Sequence, residues 1–354
     1  MAKSRRQTAW VVDQLGRWIR PGKPAAEPEH EEPQPKPSAG RRRLALGLQG
    51  GGALGAFTWG VLDRLLEEPD LPLSAVSGAS AGAVNGVTLI SNWVLGGPEA
   101  ARLGLERVWR RLSEKASFAR PSWLPGLGQS AGAVALDVTS RLFSPYQLNP
   151  LDVNPLREVL AEEVNFAVLA DAAAPELIIA ATRIRDGEPR LFRRGEITLD
   201  AVIASACLPF IHQAVEIEGE AYWDGGYSLN PPLKALIEGK PPDDLLVVQL
   251  NPVEHDGLPT SAREIAQRLN QIVFNRPLIE EWAALAPDAA AGRFRLHRLV
   301  IETDGAPPGS ALDLDWTFLT ALRDQGRAQA QDWLDGGGLH QGKDGQGKDR
   351  LTRT

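Results

Sequence analysis

Short apolar runs alternate with helical patterns through the middle of the chain, and this alternation predicts the fold class. Runs typical of buried strands are Leu44–Leu48, Leu73–Val76, Glu176–Thr182, Leu245–Leu250 and Arg295–Ile301. Helical spacing of apolar residues is found in Ala53–Glu67, from Ala81 to about Leu95, and in Leu199–Ala206, Ser261–Leu285 and Asp315–Leu334. Strands that alternate with helices favour a mainly parallel central sheet flanked by helices, so we expect an α/β three-layer sandwich.

The N-terminal end of the chain differs from this body in composition. Residues 1–20 predict a short helix with Trp10 and Trp18 near one apolar stripe, and residues 1–23 carry six basic residues against one acid. Residues 21–40 are rich in Pro and Glu and predict a linker that buries no core. The helix is suited either to an anionic membrane surface or to packing on the body or a partner.

These differences divide the chain into four predicted parts. Residues 1–40 hold the basic amphipathic helix and its linker, and residues 41–240 form the core of the domain. Residues 241–335 add strands and helices that complete the same domain, and the Gly-rich residues 336–354 are expected to be a flexible tail.

Composition narrows the class of protein. Of the 354 residues, 43% are hydrophobic and 23% are charged, which allows a sizeable core and excludes wholesale disorder. The net charge of −7 argues against nucleic acid as the main partner. The single cysteine, Cys207, excludes a disulfide framework and suits a reducing compartment. Because the pattern shows no secretory signal and no membrane span, we expect a cytoplasmic protein, at most peripheral to a membrane or lipid surface.

The first candidate for chemistry is the glycine loop, Gly50 to Gly55, which follows a predicted strand and precedes a predicted helix. Glycines allow a sharp turn whose N–H groups bind an anion at the helix N-terminus, although a plain tight turn has the same composition. The loop also fits a loose G-x-G-x-x-G. In a dinucleotide-binding site an acidic residue lies at the end of the second strand. Here the acidic residues at about that distance, Glu67, Glu68 and Asp70, precede the second predicted strand.

The second candidate is Gly78-Ala79-Ser80-Ala81-Gly82, which again joins a strand to a helix. In a G-x-S-x-G elbow the glycines make room for a strained turn that presents the serine hydroxyl. The helix N-terminus also favours negative charge that develops near Ser80. The pattern therefore predicts Ser80 as a nucleophile.

A nucleophilic serine needs a base, and the histidines do not fit that role. His297 lies inside a strand pattern, His340 in the tail, and His255 has no obvious acid before it, while His212 is expected to be a hydrogen-bonded structural residue. The five histidines show no paired metal-ligand spacing, so no metal or cofactor is expected. The better base is Asp224, which follows a hairpin-like segment and precedes Gly225 and Gly226, although an ordinary turn has the same pattern.

Taken together, GGGALG, GASAG and DGG, in this order, resemble the patatin-like phospholipase family. The sequence from Leu44 to Ala56 is similar to the family's opening strand and glycine loop, and Ala204–Pro209 is similar to its A-S-x-x-x-P segment. The resemblance extends from about Leu44 to Leu236. One departure is Leu54, where many members carry Arg or Lys.

The resemblance implies a lipid acyl hydrolase that cleaves phospholipids or other lipid esters with a Ser–Asp dyad and no catalytic histidine. Ser80 would be the nucleophile and Asp224 the base. The implied oxyanion donors are the backbone N–H groups of Gly50, Gly51, Gly52 and Ala81, and the motif glycines are Gly55, Gly78, Gly82, Gly225 and Gly226. A catalytically idle protein that binds lipid or coats granules, and an acyltransferase with the same dyad, remain as alternatives.

The segment Ser117–Leu151 is apolar yet rich in Pro and Gly. One interpretation is a loop packed on the core. The other is a lid or acyl-chain wall over Ser80, because a lipid substrate needs apolar surface near the nucleophile.

Overall fold

The computed structural model of the protein describes residues 42–118, 144–255, 257–302 and 311–339, all within one compact unit. In these ranges eight strands form one sheet, in the order β5-β6-β3-β2-β1-β7-β8 with β4 paired to β3. The strands are β1 (Leu44–Leu48), β2 (Leu73–Gly78), β3 (Glu176–Arg183), β4 (Pro189–Phe192), β5 (Val215–Ile217), β6 (Glu220–Asp224), β7 (Asp244–Gln249) and β8 (Arg295–Val300). Strands β3, β2, β1, β7 and β8 are parallel, whereas β4, β5 and β6 pair in antiparallel fashion.

Helices cover both faces of the sheet. They are α1 (Gly55–Leu65), α2 (Ala81–Phe118), α3 (Pro145–Leu148), α4 (Pro155–Glu163), α5 (Leu199–Ser205), α6 (Ala262–Ala290) and α7 (Trp316–Asp335). Successive strand residues point to opposite faces, so Leu46 and Leu48 join the larger core beneath α1, α2 and α7, while Ala45 joins a smaller core beneath α6. The predicted α/β sandwich is confirmed.

One predicted helix is longer than its sequence pattern indicated. The expected end near Leu95 is a kink, because Gly96 and Gly97 have non-helical backbone angles, and the helix then continues to Phe118. Pro98 fits the start of the second segment, since proline is tolerated in the first helical turn. The extra length lies on the same face of the sheet as α1.

Several predicted features lie outside the described residues. These are the helix and linker of residues 1–40, residues 119–143 of the proposed lid, and the tail from residue 340. The four-part division of the chain stays a prediction. None of the helices in the described ranges has the length and apolar character of a membrane-spanning segment.

Candidate active site

Ser80 occupies a strained turn at the carboxyl edge of the parallel strands. Strand β2 ends at Gly78 and α2 begins at Ala81, and between them Ser80 has a φ of 52°. A positive φ is costly for a residue with a Cβ and persists only where surrounding contacts hold it. The serine is 5% exposed. The local geometry is that of a nucleophile elbow.

The backbone contact that holds this turn comes from Ser205, the last residue of α5. The Ser80 N–H donates to the Ser205 carbonyl oxygen at 3.1 Å and to its hydroxyl oxygen at 3.0 Å. Ser205 is completely buried. The sequence marked Ser205 only as part of a motif, and nothing local in the sequence indicated that it anchors the elbow.

Asp224 is the last residue of β6 and lies at the same edge of the sheet. It pairs with Ala181 near the end of β3, and its N–H donates to the Cys207 carbonyl oxygen at 2.8 Å. Its Oδ1 accepts the Gly226 N–H at 2.8 Å. Its Oδ2 is buried and has no hydrogen-bond partner within the described ranges. A buried carboxylate oxygen without a donor is a strong proton acceptor.

The surroundings of Asp224 set its pKa near neutrality. Burial raises the pKa of this carboxyl to about 7, although the nearby Ser80 hydroxyl and the hydrogen bond from the Gly226 N–H act in the opposite direction. The Ser80 side chain is therefore close enough to stabilise the charged form, yet the geometry does not complete a hydrogen bond to Oδ2. A base with a pKa near the working pH is well matched to proton transfer.

The glycine loop packs directly against the elbow. A Cβ built on Gly50 would lie 2.7 Å from Ser80 Cβ, so only glycine permits this approach. Gly52 has a φ of +59°, and a Cβ there would overlap the Ala311 carbonyl oxygen. That oxygen accepts the Ala53 N–H at 2.7 Å. The composition of the loop is therefore required by its contacts.

One predicted oxyanion donor is corrected by the structure. The Gly50 N–H donates to Asn230 Oδ1 at 2.7 Å, so it is not available to an oxyanion. The N–H groups of Gly51, Gly52 and Ala81 have no acceptor in the part of the chain that the structure describes. These three groups remain as candidate donors.

A cluster of buried amide side chains that no sequence motif predicts lies behind the loop. We call Gln49, Asn230, Asn251 and Asn275 the amide cluster; each is at most 8% exposed. Gln49 Oε1 accepts the N–H groups of Leu250 and Asn251, and Gln49 Nε2 donates to Asn275 Oδ1 at 3.0 Å. Asn230 Nδ2 donates to the Phe274 carbonyl oxygen at 3.0 Å.

The described histidines do not complete a triad with Ser80. His297 Nε2 donates to Asp244 Oδ1 at the opposite edge of the sheet, and His255 Nδ1 lies 3.4 Å from the Gly257 carbonyl oxygen. The expectation that His212 is hydrogen-bonded fails at Nδ1, which is buried without a partner in the described ranges. Burial lowers the His212 pKa, and nearby Asp152 opposes that shift.

Among the described residues, no cluster of three His, Cys, Asp or Glu side chains could hold a metal ion.

The thiol of Cys207 lies near Asp224, and burial, followed by the charge of Asp224, raises the pKa of this thiol to about 12. A neutral thiol is a poor nucleophile. Cys207 is thus not activated as a nucleophile, and its thiol donates to the Gln213 carbonyl oxygen at 3.0 Å.

Comparison with known proteins adds a family and several relatives. A family model described as patatin-like phospholipase matches residues 46–237, more than half of the chain. The uncharacterized protein YjjU of Escherichia coli (strain K12) is 28% identical over 206 residues, which cover 54% of this chain and 48% of YjjU. The match therefore spans about half the length of that relative.

Two solved structures are also similar. VipD from Legionella pneumophila superimposes with a TM-score of 0.41 at 14% identity, over 84% of this chain and 67% of VipD. The second is a chain of the ExoU–SpcU complex from the type III secretion system of Pseudomonas aeruginosa. It superimposes with a TM-score of 0.38 at 18% identity, over 83% of this chain and 51% of the matched chain.

Proposed function

The chain belongs to the patatin-like phospholipase family, and from this premise we propose that it hydrolyses lipid esters with Ser80 as nucleophile and Asp224 as base. The family is one of lipid hydrolases. The proposed substrates are phospholipids or other lipid carboxylic esters, and the proposed intermediate is an acyl-enzyme on Ser80.

The first half of the reaction acylates the enzyme. Ser80 Oγ attacks the ester carbonyl carbon, and its proton passes to Asp224 Oδ2. The carbonyl oxygen becomes an oxyanion, which the N–H groups of Gly51, Gly52 and Ala81 stabilise. When the intermediate collapses, the bond to the alcohol breaks, and Asp224 returns the proton to the leaving oxygen.

The second half releases the acyl chain. Water attacks the acyl carbon as Asp224 accepts one of its protons, and collapse of the second intermediate returns that proton to Ser80 Oγ. The products are a free fatty acid and an alcohol. When the substrate is a phospholipid, the alcohol is a lysophospholipid. No step in this scheme requires a metal.

The observation that carries the proposal is the state of Asp224. It is completely buried beside the elbow, has a pKa of about 7 and keeps Oδ2 unpartnered among the described residues. A carboxyl with only a structural role would be satisfied by donors on both oxygens. Asp224 lacks that second set of donors and is therefore suited to accept a proton.

Purified protein, incubated with a panel of soluble esters and phospholipids beside a Ser80→Ala variant, tests the proposal. We expect ester cleavage that the variant lacks. Lipid binding without Ser80-dependent cleavage would favour the idle lipid-binding alternative. Transfer of the acyl group to an added alcohol in preference to water would favour the acyltransferase.

The oxyanion loop supplies a separate test. A Cβ on Gly51 would meet Leu250 atoms at 3.1 Å, so Gly51→Val should press the loop out of position. Losing one oxyanion donor costs on the order of 10²- to 10³-fold in kcat, and we expect a loss of that size in a folded variant. Leu54→Arg, which restores the family's commoner residue, is the matched control and should stay within about threefold of wild type. Near-normal kcat in Gly51→Val would disprove the loop assignment.

The proposal places the activity in the cytoplasm, supported by the single cysteine, with residues 1–23 as a peripheral contact to anionic lipid. Deleting residues 1–38 should weaken sedimentation with anionic vesicles while hydrolysis of soluble esters is retained. Unchanged sedimentation would reject this role for the basic segment.

A further inference from the structure

The peptide unit that joins Gly50 to Gly51 is held by side chains from two distant segments. Asn251 Nδ2 donates to the Gly50 carbonyl oxygen at 3.3 Å, and Asn230 Nδ2 donates to the same oxygen at 3.5 Å. Asn230 Oδ1 accepts the Gly50 N–H at 2.7 Å. Two buried amides therefore fix both polar groups of Gly50.

The planarity of the peptide bond transmits this restraint to the next residue. In a trans peptide the carbonyl of one residue and the N–H of the next lie in one plane and point in opposite directions. With the Gly50 carbonyl held toward Asn230 and Asn251, the Gly51 N–H must point away from the amide cluster. A peptide flanked by two glycines rotates at low steric cost, so the side chains have to supply the restraint.

The Asn230 side chain and the backbone at Asn251 are themselves fixed. Gln49 Oε1 accepts the Asn251 N–H at 3.0 Å, and the Asn230 amide also donates to the Phe274 carbonyl oxygen at 3.0 Å. Asn230 is completely buried and Asn251 is 8% exposed, so water competes little for these bonds. Asn230 and Asn251 thus have the rigidity that positioning a preorganised donor requires.

We infer that Asn230 and Asn251 are positioning residues that aim the Gly51 N–H at the oxyanion formed on the Ser80 ester. The inference rests on the proposed function and extends it to residues outside the three sequence motifs. If the Gly50 carbonyl loses its donors, the peptide can turn over, and its oxygen then replaces the N–H donor in the site. Such a change weakens transition-state binding and leaves ground-state binding unaltered.

Asn251→Leu is the direct test, because leucine keeps the volume of the side chain and removes the shorter of the two hydrogen bonds to the Gly50 carbonyl oxygen, 3.3 Å against 3.5 Å from Asn230. We expect kcat on a soluble ester to fall about 10- to 100-fold while KM stays within about threefold of wild type. A crystal structure of the variant should show the Gly50 carbonyl turned away from residue 251, whereas in the wild type it faces Asn251. Asn251→Asp also removes the donor and serves if the leucine variant does not fold.

Asn275→Leu is the matched control. Asn275 belongs to the same buried cluster, but its side chain bonds to Gln49 and to the Pro252 carbonyl oxygen and does not touch Gly50. It should lose stability and keep kcat within about threefold. An equal fall of kcat in both variants, or normal kcat with an unmoved peptide in Asn251→Leu, would overturn the positioning role alone. A wild type without Ser80-dependent hydrolysis would overturn the proposed function and this inference together.

Discussion

Two buried aspartates at opposite edges of the same sheet have opposite electrostatic surroundings. Asp224 ends β6 at the carboxyl edge of the parallel strands, and Asp244 begins β7 at the other edge. Their exposed fractions are 0% and 1%. Burial raises the pKa of Asp224 to about 7, whereas the pKa of Asp244 is held below its usual range.

The difference comes from the partners of each carboxylate. Burial alone would raise the pKa of Asp244, but hydrogen bonds from His297 and Arg295 and the charge of Arg42 outweigh it. Its oxygens lie 2.9 Å from His297 Nε2, 2.6 Å from Arg295 Nε and 3.2 Å from Arg42 Nη2. Asp224 has one backbone N–H and the Ser80 hydroxyl nearby, and no cation among the described residues contacts it.

Two carboxyls with nearly equal exposed surface thus have pKa values shifted in opposite directions. A carboxylate surrounded by cations is kept charged and joins neighbouring strands, while one deprived of cations is ready to take a proton. Perturbed carboxyls occur in structural ion clusters as well as active sites, so the direction of the shift and the missing donor distinguish the two here.

The sharpest test of this comparison exchanges each aspartate for asparagine. Asp224→Asn removes the proton acceptor and should lower kcat by at least about 10³-fold, close to the loss in Ser80→Ala. Asp244→Asn should keep kcat within about threefold and lower the free energy of unfolding by about 2–3 kcal/mol. Steady-state kinetics and urea denaturation measure both. Comparable kcat losses in the two variants would remove the distinction.

The effect of pH on stability should also have opposite signs for the two aspartates. The folded-state pKa of Asp224 is raised, so the penalty for its charge is absent below about pH 4 and grows as pH rises through 7. A shift from 3.8 to about 7 corresponds to about 4 kcal/mol. Asp224→Asn should therefore be more stable than wild type by up to about 4 kcal/mol at pH 8, and by less at pH 5.

Asp244 supplies the opposite case. Its folded-state pKa is lowered, so its contribution is present above the unfolded-state pKa and is lost as pH falls through the lower folded value. Asp244→Asn should be less stable than wild type at neutral pH, and the difference should shrink in acid. Denaturation series at several pH values compare the two variants directly. The same trend with pH for both would mean that their surroundings do not differ as described.

Much of the fold, and the context of Ser80, can be predicted from the sequence, because both follow from patterns confined to short segments. The strands around Leu46 and Leu246 read as apolar runs, and Ser80 lies in a strand–turn–helix context that the structure reproduces. Strand β4 was missed, since four residues that begin with Pro189 carry no alternation and fit an edge strand.

What could not be predicted depends on contacts between distant segments. Gly50 and Asn230 are 180 positions apart, and isolated amides such as Asn251 give no local signal of what they bond. For this reason the sequence motif alone predicts the Gly50 N–H as an oxyanion donor, although Asn230 Oδ1 already accepts it. The Asp224 pKa is likewise a property of burial that emerges only once the sheet has formed.

The smallest expected effects concern the histidines. If a histidine were the base and Asp224 only oriented it, one of His212, His255 or His297 would be indispensable. A pH–rate profile does not separate these mechanisms, because Asp224 has a pKa of about 7 and an ordinary histidine has one near 6.5. Activity that falls below neutral pH is expected from either base.

Substitution of each histidine separates a histidine base from an Asp224 base. Each of His212→Ala, His255→Ala and His297→Ala should keep kcat within roughly tenfold of wild type, about 1.4 kcal/mol in the barrier. His297→Ala should in addition lower stability by about 1 kcal/mol, because it removes one partner of buried Asp244. Thermal unfolding beside steady-state kinetics makes the comparison. Loss of all activity in one folded histidine variant would transfer the base from Asp224 to that residue, and the contrast between the two aspartates would then be structural only.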